Sequence, residues 1–257
     1  MSDLPVFEAD WPAPPGVRAC TTTRAGGVSA PPYESLNLAL HVGDDPQAVA
    51  ANRARLREAL ALPGEPCWLN QVHGMRVAAA DELCVSGAPR GRPGAVPPEA
   101  DAAHTAQGGV VLAVLTADCL PVVFAARRGE RLAVAHAGWR GLAAGVLEAT
   151  VAAMQVPGAE ILAWLGPAIG PRAFEVGPEV RDAFVAQDAA SAGAFTPGPG
   201  DRSYADLYAL ARRRLARVGV TSVYGGGACT FHDPRFYSYR RAATTGRMAT
   251  LVWRIPH

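Results

Sequence analysis

The sequence predicts an α/β (α+β) fold in which helices pack outside a mixed β-sheet. Strand patterns outnumber helix patterns, and several neighbouring strands are separated by hairpin-sized turns. Hydrophobic residues make up 49% of the 257 residues, which is enough to bury a sizeable core. No repeat, low-complexity segment or break in composition divides the chain, so we expect a single domain over residues 1–257.

A first strand is expected at Val17–Thr23. The loop that follows is dense in Gly, Pro, Ser and Asn and extends to Asp45. Long loops in folded domains are often functional. Its polar side chains Arg24, Asn37 and His41 are therefore candidates to line a pocket, although a surface loop with satisfied polar groups explains them equally well.

Asp45 and Pro46 occupy the cap and first position of a helix that we expect to reach Leu62. Two strands should follow, one over residues 67–74 with a turn at His73 and Gly74, and one over residues 76–82. The Gly- and Pro-rich segment at residues 84–98 predicts a surface loop.

The segment VVLAVLTADCLPVVFAARRGERLAVAHAGWRG at residues 110–141 predicts three strands, the last two joined by a hairpin. Pairing Ala126 with Arg131 sets Cys119 opposite Gly138, one diagonal step from His136. Side chains along a strand alternate between its faces, so Cys119 and His136 should point to the same face. Diagonal neighbours lie about 7–8 Å apart at the backbone, close enough for their side chains to converge on one ion.

The C-terminal half alternates between further helices and strands. Residues 141–154 predict a helix whose N-terminus lies near His136, where free N–H groups favour an anion. Residues 178–187 and 204–218 predict two more helices, the second with a basic face that we expect to be solvated. Strands are expected near residues 161–165, 220–224 and 249–254, with loops at residues 190–199 and 225–241.

His73, Cys119 and His136 form a possible metal site. Zinc binds thiolate and imidazole, and catalytic zinc sites use three protein ligands with an open fourth position. Asp118, Asp101 and Gln71 are candidates to orient these ligands or to carry protons. Two alternatives remain: Cys119 and His136 are ordinary core residues, or they form the nucleophile and base of a metal-free cysteine hydrolase.

Composition excludes several classes of function. The net charge of +1 gives no electrostatic reason to expect nucleic acid or a membrane surface as a partner. Every basic residue is arginine, so a Schiff-base lysine and a Walker A lysine are both excluded. Five scattered cysteines and no secretory leader predict free thiols in the cytoplasm. No apolar run is long enough for a membrane helix.

The segments NQVHG (70–74), TADCLPV (116–122) and HAGWRG (136–141) resemble those of the YfiH-like laccase-domain family. Its members are also called polyphenol oxidases, peptidoglycan editing factors or purine nucleoside phosphorylases. The resemblance extends over almost the whole chain, through TTTRAGGVS, ESLNLALHVGDD, EADAAHT, GPAIGP, GGGACT and FYSYRR in the family's order. Many members carry cysteine after GPAIGP, where this chain has Arg172 and Ala173.

This resemblance implies a YfiH-type fold and a zinc ion held by His73, Cys119 and His136. It also implies phosphorolysis of adenosine, inosine, guanosine and methylthioadenosine, with deamination of adenosine. Phosphate would need a cationic clamp, and arginine binds phosphate through two parallel hydrogen bonds. The candidates to bind substrate or phosphate are Arg24, Asn37, Gln71, Arg140 and Arg240.

Phe231 and Tyr237 are candidates to stack on a purine, although aromatic residues near a strand end more often belong to the core. Three other functions stay open. One is an amidase that edits peptidoglycan precursors with the same residues. The second is a copper phenol oxidase, which is disfavoured because the chain has only six histidines. The third is a binding protein without catalysis. The oligomeric state does not follow from the sequence.

Overall fold

The computed structural model of the protein describes residues 4–85 and 97–256. Thirteen strands and six α-helices are found in these residues. The strands are β1 (Val6–Glu8), β2 (Val17–Thr22), β3 (Val77–Ala79), β4 (Ala102–Thr105), β5 (Val111–Thr116), β6 (Leu120–Ala126), β7 (Leu132–Ala137), β8 (Ile161–Leu165), β9 (Glu175–Val176), β10 (Phe195–Pro197), β11 (Ser203–Ala205), β12 (Ser222–Gly225) and β13 (Met248–Arg254). The helices are α1 (Pro46–Ala59), α2 (Ala80–Val85), α3 (Trp139–Ala144), α4 (Val146–Met154), α5 (Pro178–Val185) and α6 (Leu207–Arg217). Short 3-10 helices span Leu40–Val42, Gly158–Glu160 and Ala189–Ala194.

The largest sheet has six strands in the order β12-β8-β6-β7-β4-β3. It is mixed, because β12 runs parallel to β8 and β3 parallel to β4, whereas the other neighbours are antiparallel. A second sheet has the order β1-β2-β13-β5, and a small third sheet has the order β10-β11-β9. The predicted fold class, a mixed sheet with helices packed outside, is confirmed.

The central strands are buried on both faces. Along β6, Val122 and Phe124 pack against the helices, whereas Val123 and Ala125 pack against the second sheet. All residues of β5, β6 and β7 are buried. This explains why these strands read as continuous apolar runs rather than alternating ones, and it fixes the register of the hairpin that carries the predicted ligands.

The predicted strand over residues 67–74 is wrong. Only two isolated bridges form there, from Cys67 to Leu112 and from Asn70 to Glu99. The backbone N–H groups that would join a sheet at Val72, His73 and Gly74 instead donate to one carboxylate. The strand predicted at residues 76–82 is shorter than expected and gives way to α2 after three residues.

The helix predicted over residues 141–154 is two helices. Gly145 has φ +107°, a left-handed conformation that glycine adopts at little cost, and it ends α3 and begins α4. The loop predicted at residues 190–199 instead contains a 3-10 helix and β10. The loop predicted at residues 84–98 lies for its larger part, residues 86–96, outside the described residues.

The basic face predicted on the last helix is only partly solvated. α6 begins at Leu207, after the Asp206 side chain caps it. Arg214 is buried, forms an ion pair of 3.0 Å with Glu148 and donates to the carbonyl of Ala143. This arginine therefore joins α6 to α3 and α4. No helix among the described residues is both long and apolar enough to cross a membrane.

Candidate metal centre and its cavity

Cys119 and His136 lie at the end of the β6–β7 hairpin, as predicted. The Ala126 N–H donates to the Arg131 carbonyl at 2.9 Å, and the paired register runs to Leu120 opposite Ala137. The next pair along this register is Cys119 and Gly138. The predicted register is confirmed, and the core packing of the hairpin fixes where these two ligands stand.

His73 reaches the same point from an exposed turn. Its φ is +60°, an uncommon conformation for a residue with a side chain. Its Nε2 lies 4.0 Å from the Sγ of Cys119, and its ring centroid lies 4.8 Å from that of His136. The turn is held by hydrogen bonds to Asp101 rather than by strand pairing.

The donor atoms of His73, Cys119 and His136 all lie within 4.8 Å of one another. Among the described residues, this is the one group of three or more His, Cys, Asp or Glu side chains with such spacing. Zinc–sulfur bonds of about 2.3 Å and zinc–nitrogen bonds of about 2.0–2.1 Å place tetrahedral ligands roughly 3.3–3.6 Å apart. The donors therefore need to close in by only about 1 Å, and the set fits a metal ion.

Two glycines of HAGWRG allow the ligands to approach. A Cβ on Gly138 would lie 3.0 Å from both the Sγ of Cys119 and the Cδ2 of His73. A Cβ on Gly141 would lie 2.8 Å from the backbone oxygen of Gly74. Any side chain at these positions would push the His73 turn away from the hairpin.

Asp101 supports both histidines. It is fully buried, and its carboxylate accepts hydrogen bonds from the Nδ1 of His136 at 2.8 Å and from the N–H groups of Val72, His73 and Gly74. Burial alone would raise the pKa of Asp101, but the hydrogen bonds from His136 and Gly74 outweigh it and lower that pKa. Asp101 is thus ionised at neutral pH.

The electrostatics favour a thiolate. Burial opposes ionisation of Cys119, but the positive charge of His136 and hydrogen bonds from both histidines lower its pKa to about 6. Burial alone would lower the pKa of His136, but the Cys119 thiolate and Asp101 raise it to about 9. Without a metal, the pair is therefore thiolate and imidazolium between these values.

The three ligands open onto a cavity of about 400 Å³. Its polar wall contains one further histidine, one amide and three arginines: His41, Gln71, Arg140, Arg240 and Arg247. Its apolar wall includes Trp139, Ile169, Phe174, Leu207 and Tyr239. Burial, followed by the charges of Arg247 and Arg53, lowers the pKa of His41, so this imidazole is neutral at pH 7.

Three of the five predicted substrate residues line this cavity: Gln71, Arg140 and Arg240. The side-chain amide of Gln71 exchanges two hydrogen bonds with the backbone of Leu115. The Arg140 guanidinium lies over the Trp139 ring and that of Arg240 over the Phe174 ring.

The other two predicted substrate residues lie away from the cavity lining. Asn37 is fully buried and organises its own loop, donating to Asp44 and accepting from the N–H of Arg247. Arg24 forms a 3.1 Å ion pair with Glu34 and covers the ring of Tyr237. Both roles satisfy the polar groups of the first long loop.

The aromatic residues predicted to stack on a purine do not line the cavity either. Tyr237 is fully buried, and its hydroxyl donates to the carbonyl of Tyr33. Phe231 packs against the main core. Trp139, Phe174 and Tyr239 line the cavity instead.

Asp118, predicted to be catalytic, lines the cavity with both carboxylate oxygens engaged. Oδ1 accepts from the hydroxyl of Thr230 at 2.6 Å, and Oδ2 accepts from the N–H of Arg240 at 2.7 Å. Its φ of +88° is a strained conformation for a residue with a side chain. These contacts favour a role in holding the loop of Arg240 over a role in carrying protons.

Arg247 was not among the predicted residues. It follows a buried glycine in a loop without a recognisable motif, and no local pattern distinguishes it from Arg24. Its NH1 donates to the carbonyls of Thr245 and Gly246, which aims the guanidinium into the cavity. Burial lowers the pKa of this guanidinium.

A second cavity has a volume of about 450 Å³ and is lined in part by chain neighbours of residues that line the first. Ile169 and Leu207 line the first cavity, and their chain neighbours Gly170 and Tyr208 line the second. Its Arg212 is bonded to the carbonyls of Val223 and Gly225. The described residues place no group of three metal-ligating side chains there.

A model of the family described as multi-copper polyphenol oxidoreductase laccase matches residues 18–255. The chain belongs to this family. A purine nucleoside phosphorylase of Pseudomonas aeruginosa is 60% identical over 247 residues, covering 95% of this chain and 96% of that one. Purine nucleoside phosphorylase YfiH of Escherichia coli K12 is 54% identical over 246 residues, covering 95% of this chain and 97% of that one.

Solved structures of other proteins share the fold. The crystal structure of a Neisseria meningitidis protein has a TM-score of 0.90 at 49% identity and covers 98% of this chain and 99% of its own. That of YlmD from Geobacillus stearothermophilus has a TM-score of 0.87 at 31% identity and covers 98% and 100%. The predicted YfiH-like family is confirmed.

Proposed function

We propose that this laccase-domain protein is a zinc-dependent purine nucleoside phosphorylase that also deaminates adenosine. Adenosine, inosine, guanosine and methylthioadenosine are the proposed substrates. The observation that carries the proposal is one cavity that joins a His73–Cys119–His136 ligand set to three arginines. The names of the P. aeruginosa and E. coli relatives support the same activity.

The arginines support phosphate as co-substrate. Arg140, Arg240 and Arg247 line the cavity, and none of them forms an ion pair with a carboxylate of the described residues. Guanidinium groups that line a cavity and have no carboxylate partner can bind an oxyanion there, through up to two hydrogen bonds each. An adenosine deaminase alone would not need such a group.

The apolar wall supports a purine. Trp139, Phe174 and Tyr239 offer ring faces or edges, and Ile169 and Leu207 complete the surface. Aromatic rings stack favourably on nucleobases, and the cavity volume of about 400 Å³ is within the range of small-molecule sites.

Phosphorolysis joins a phosphate oxygen to C1′ of the ribose while the bond from C1′ to N9 of the purine breaks. The electron pair of that bond leaves with the base, which takes up a proton. The sugar product is ribose 1-phosphate, or 5-methylthioribose 1-phosphate when the substrate is methylthioadenosine. In this chain the arginines would hold the phosphate beside the sugar, and neutral His41 is placed to exchange a proton with substrate or solvent. A zinc ion held by the three ligands would act as a Lewis acid.

Zinc fits better than copper. A multicopper oxidase needs further histidine clusters, and the part of the chain that the structure describes contains one ligand group. One thiolate, two imidazoles and a face open to a cavity match a catalytic zinc site. The free thiols of Cys20, Cys119 and Cys229 support a reducing compartment, and we propose the cytoplasm.

The test is an assay of purified, metal-analysed protein on adenosine, inosine, guanosine and methylthioadenosine, with and without phosphate. We expect phosphate-dependent release of base from all four and phosphate-independent release of ammonia from adenosine. Zinc should be present in about one equivalent, and chelation should remove both activities. Absence of base release and ammonia from zinc-replete enzyme would refute the proposal.

A second candidate is an amide hydrolase acting on peptidoglycan precursors. The observation that favours it is the thiolate–imidazolium pair of Cys119 and His136, which is the arrangement of a cysteine nucleophile and its base. Amide cleavage by metal-free protein, lost in Cys119→Ala, would select this function over the first.

A further inference from the structure

We infer that Asp101 is a positioning residue that sets both the coordinating nitrogen of His136 and the turn that carries His73. The inference deepens the proposed function, because it takes His73, Cys119 and His136 as the metal ligands. Asp101 would belong to the centre although it binds neither metal nor substrate. One buried carboxylate would thus prepare two ligands that are 63 residues apart in the sequence.

The carboxylate of Asp101 faces four donors and no acceptor. Oδ1 accepts from the His73 N–H at 2.9 Å and the His136 Nδ1 at 2.8 Å. Oδ2 accepts from the Val72 N–H at 3.2 Å and the Gly74 N–H at 2.7 Å. The residue is fully buried, so water does not compete for these positions.

The first consequence concerns the tautomer of His136. A neutral imidazole binds a metal through the nitrogen that lacks a proton. Since Asp101 can only accept, it keeps the proton on Nδ1 and leaves Nε2 free toward Cys119. The backbone carbonyl of Asp101 also accepts from the His136 N–H at 2.7 Å, which holds the two residues in register.

The second consequence concerns the His73 turn. Its φ of +60° is unfavourable for a residue with a side chain, and no strand pairing holds it. Three successive N–H groups pointing at one carboxylate make the turn an anion-binding loop closed by the protein's own aspartate. If that carboxylate were removed, these three N–H groups would lose the acceptor that holds the turn in place.

An amide at position 101 cannot replace the carboxylate. If its NH₂ pointed at Val72 and Gly74, donors would face donors and the turn would loosen. If its NH₂ pointed at His136, the imidazole would have to accept on Nδ1 and carry its proton on Nε2, the nitrogen that the metal needs. Either orientation of Asp101→Asn therefore damages one ligand while Cys119 stays in place.

The experiment compares Asp101→Asn with wild type and with Asp81→Asn. Asp81 is a matched control, because its carboxylate, like that of Asp101, accepts hydrogen bonds from a side chain and from the backbone. The donors are the Thr105 hydroxyl and the Ala106 N–H, at the other end of β4. Zinc affinity is measured by competition with a chromophoric chelator. Nitrogen-15 NMR of metal-free protein, recorded at a pH at which the spectrum itself shows the His136 imidazole to be neutral, reports which ring nitrogen carries the proton.

We expect Asp101→Asn to weaken zinc binding about 10- to 100-fold, the usual cost of losing such a partner, and Asp81→Asn to change it little. We also expect either a His136 proton moved to Nε2 or faster hydrogen exchange at Val72, His73 and Gly74. An Asp101→Asn protein with the affinity of Asp81→Asn and the Nδ1 tautomer would overturn the inference.

Two further outcomes also bear on the inference. If Asp101→Asn does not fold, the wild-type spectrum decides: a proton on Nε2 of His136 refutes the inference, and a proton on Nδ1 with slow exchange at the His73 turn supports it. If wild type binds zinc but lacks phosphorolysis, the proposed function fails while the affinity and tautomer measurements still test Asp101.

Discussion

The carboxylate of Asp118 accepts a 2.7 Å hydrogen bond from the backbone N–H of Arg240, 122 residues later in the chain. Its other oxygen accepts from the hydroxyl of Thr230. Asp118 directly precedes Cys119, one of the proposed metal ligands, so this contact ties the loop carrying two of the cavity arginines to the hairpin of the candidate metal site.

Asp118→Asn and Asp118→Ala separate a positioning role from proton transfer. Asparagine tolerates positive φ, can accept from Arg240 and can donate to Thr230, so we expect it to keep most of the activity. Alanine loses both bonds, and each buried hydrogen bond to a charged group contributes about 1.5–3 kcal/mol. We expect Asp118→Ala to raise the KM for phosphate at least tenfold at unchanged zinc content. Equal loss of kcat in both variants would instead identify Asp118 as a proton carrier.

Arg247→Ala should impair phosphorolysis selectively. A charge-assisted hydrogen bond contributes about 1.5–3 kcal/mol, so we expect the KM for phosphate to rise roughly 10- to 100-fold. Deamination of adenosine needs no phosphate and should change little. The control is Arg24→Ala, because Arg24 is ion-paired with Glu34 away from the cavity. Parallel losses in both reactions would show that Arg247 serves the fold rather than phosphate.

Metal-free protein should show one unusually acidic thiol. Because the pKa of Cys119 is lowered to about 6, its thiolate persists above that pH and is lost as pH falls through it. We expect half-maximal alkylation of Cys119 by iodoacetamide near pH 6, mapped by mass spectrometry. Burial raises the pKa of Cys20, which should stay unreactive in the same sample. His136→Ala should move the Cys119 midpoint upward, and zinc should protect the thiol.

Gly138→Ala should weaken metal binding without unfolding the protein. The added Cβ would lie 3.0 Å from two ligand side chains, tighter than ordinary packing allows. We expect a loss of zinc affinity of at least tenfold, which corresponds to about 1.4 kcal/mol. Gly193→Ala is the control, since nothing lies within 4 Å of its added Cβ. Its zinc affinity and melting temperature should remain near those of wild type; an equal effect at both positions would contradict the packing argument.

The hairpin was predictable because its register follows from local information. A short turn at residues 127–130 and two continuous apolar strands leave one pairing that buries both, and this places Cys119 opposite Gly138. The turn of His73 was located by its motif, but its conformation was not predictable. A carboxylate 28 residues downstream, not the local sequence, decides where its N–H groups point.

The cavity residues show where sequence reasoning ends. In FYSYRR, Tyr237 and Tyr239 flank the same serine, yet Tyr237 is buried under Arg24 and Tyr239 lines the cavity. Arg24 and Arg247 both lie near glycines in long loops, and only the presence of Glu34 beside Arg24 separates them. Such assignments depend on contacts between distant segments, which one sequence does not encode locally.

The proposed metal ligands stand on a buried hairpin and on an exposed turn, and this difference affects how a bound ion would be released. Cys119 and His136 belong to the most deeply packed hairpin, whereas His73 stands on an exposed turn that pairs with no strand. Segments with few buried contacts open at far lower free energy than core strands do. We therefore expect a bound ion to leave when the His73 imidazole swings away with its turn. This loop motion should occur far more often than unfolding of the chain. We also expect metal to be lost and regained without unfolding, at a rate set by the opening of residues 70–76 against the hydrogen bonds that Asp101 accepts from them.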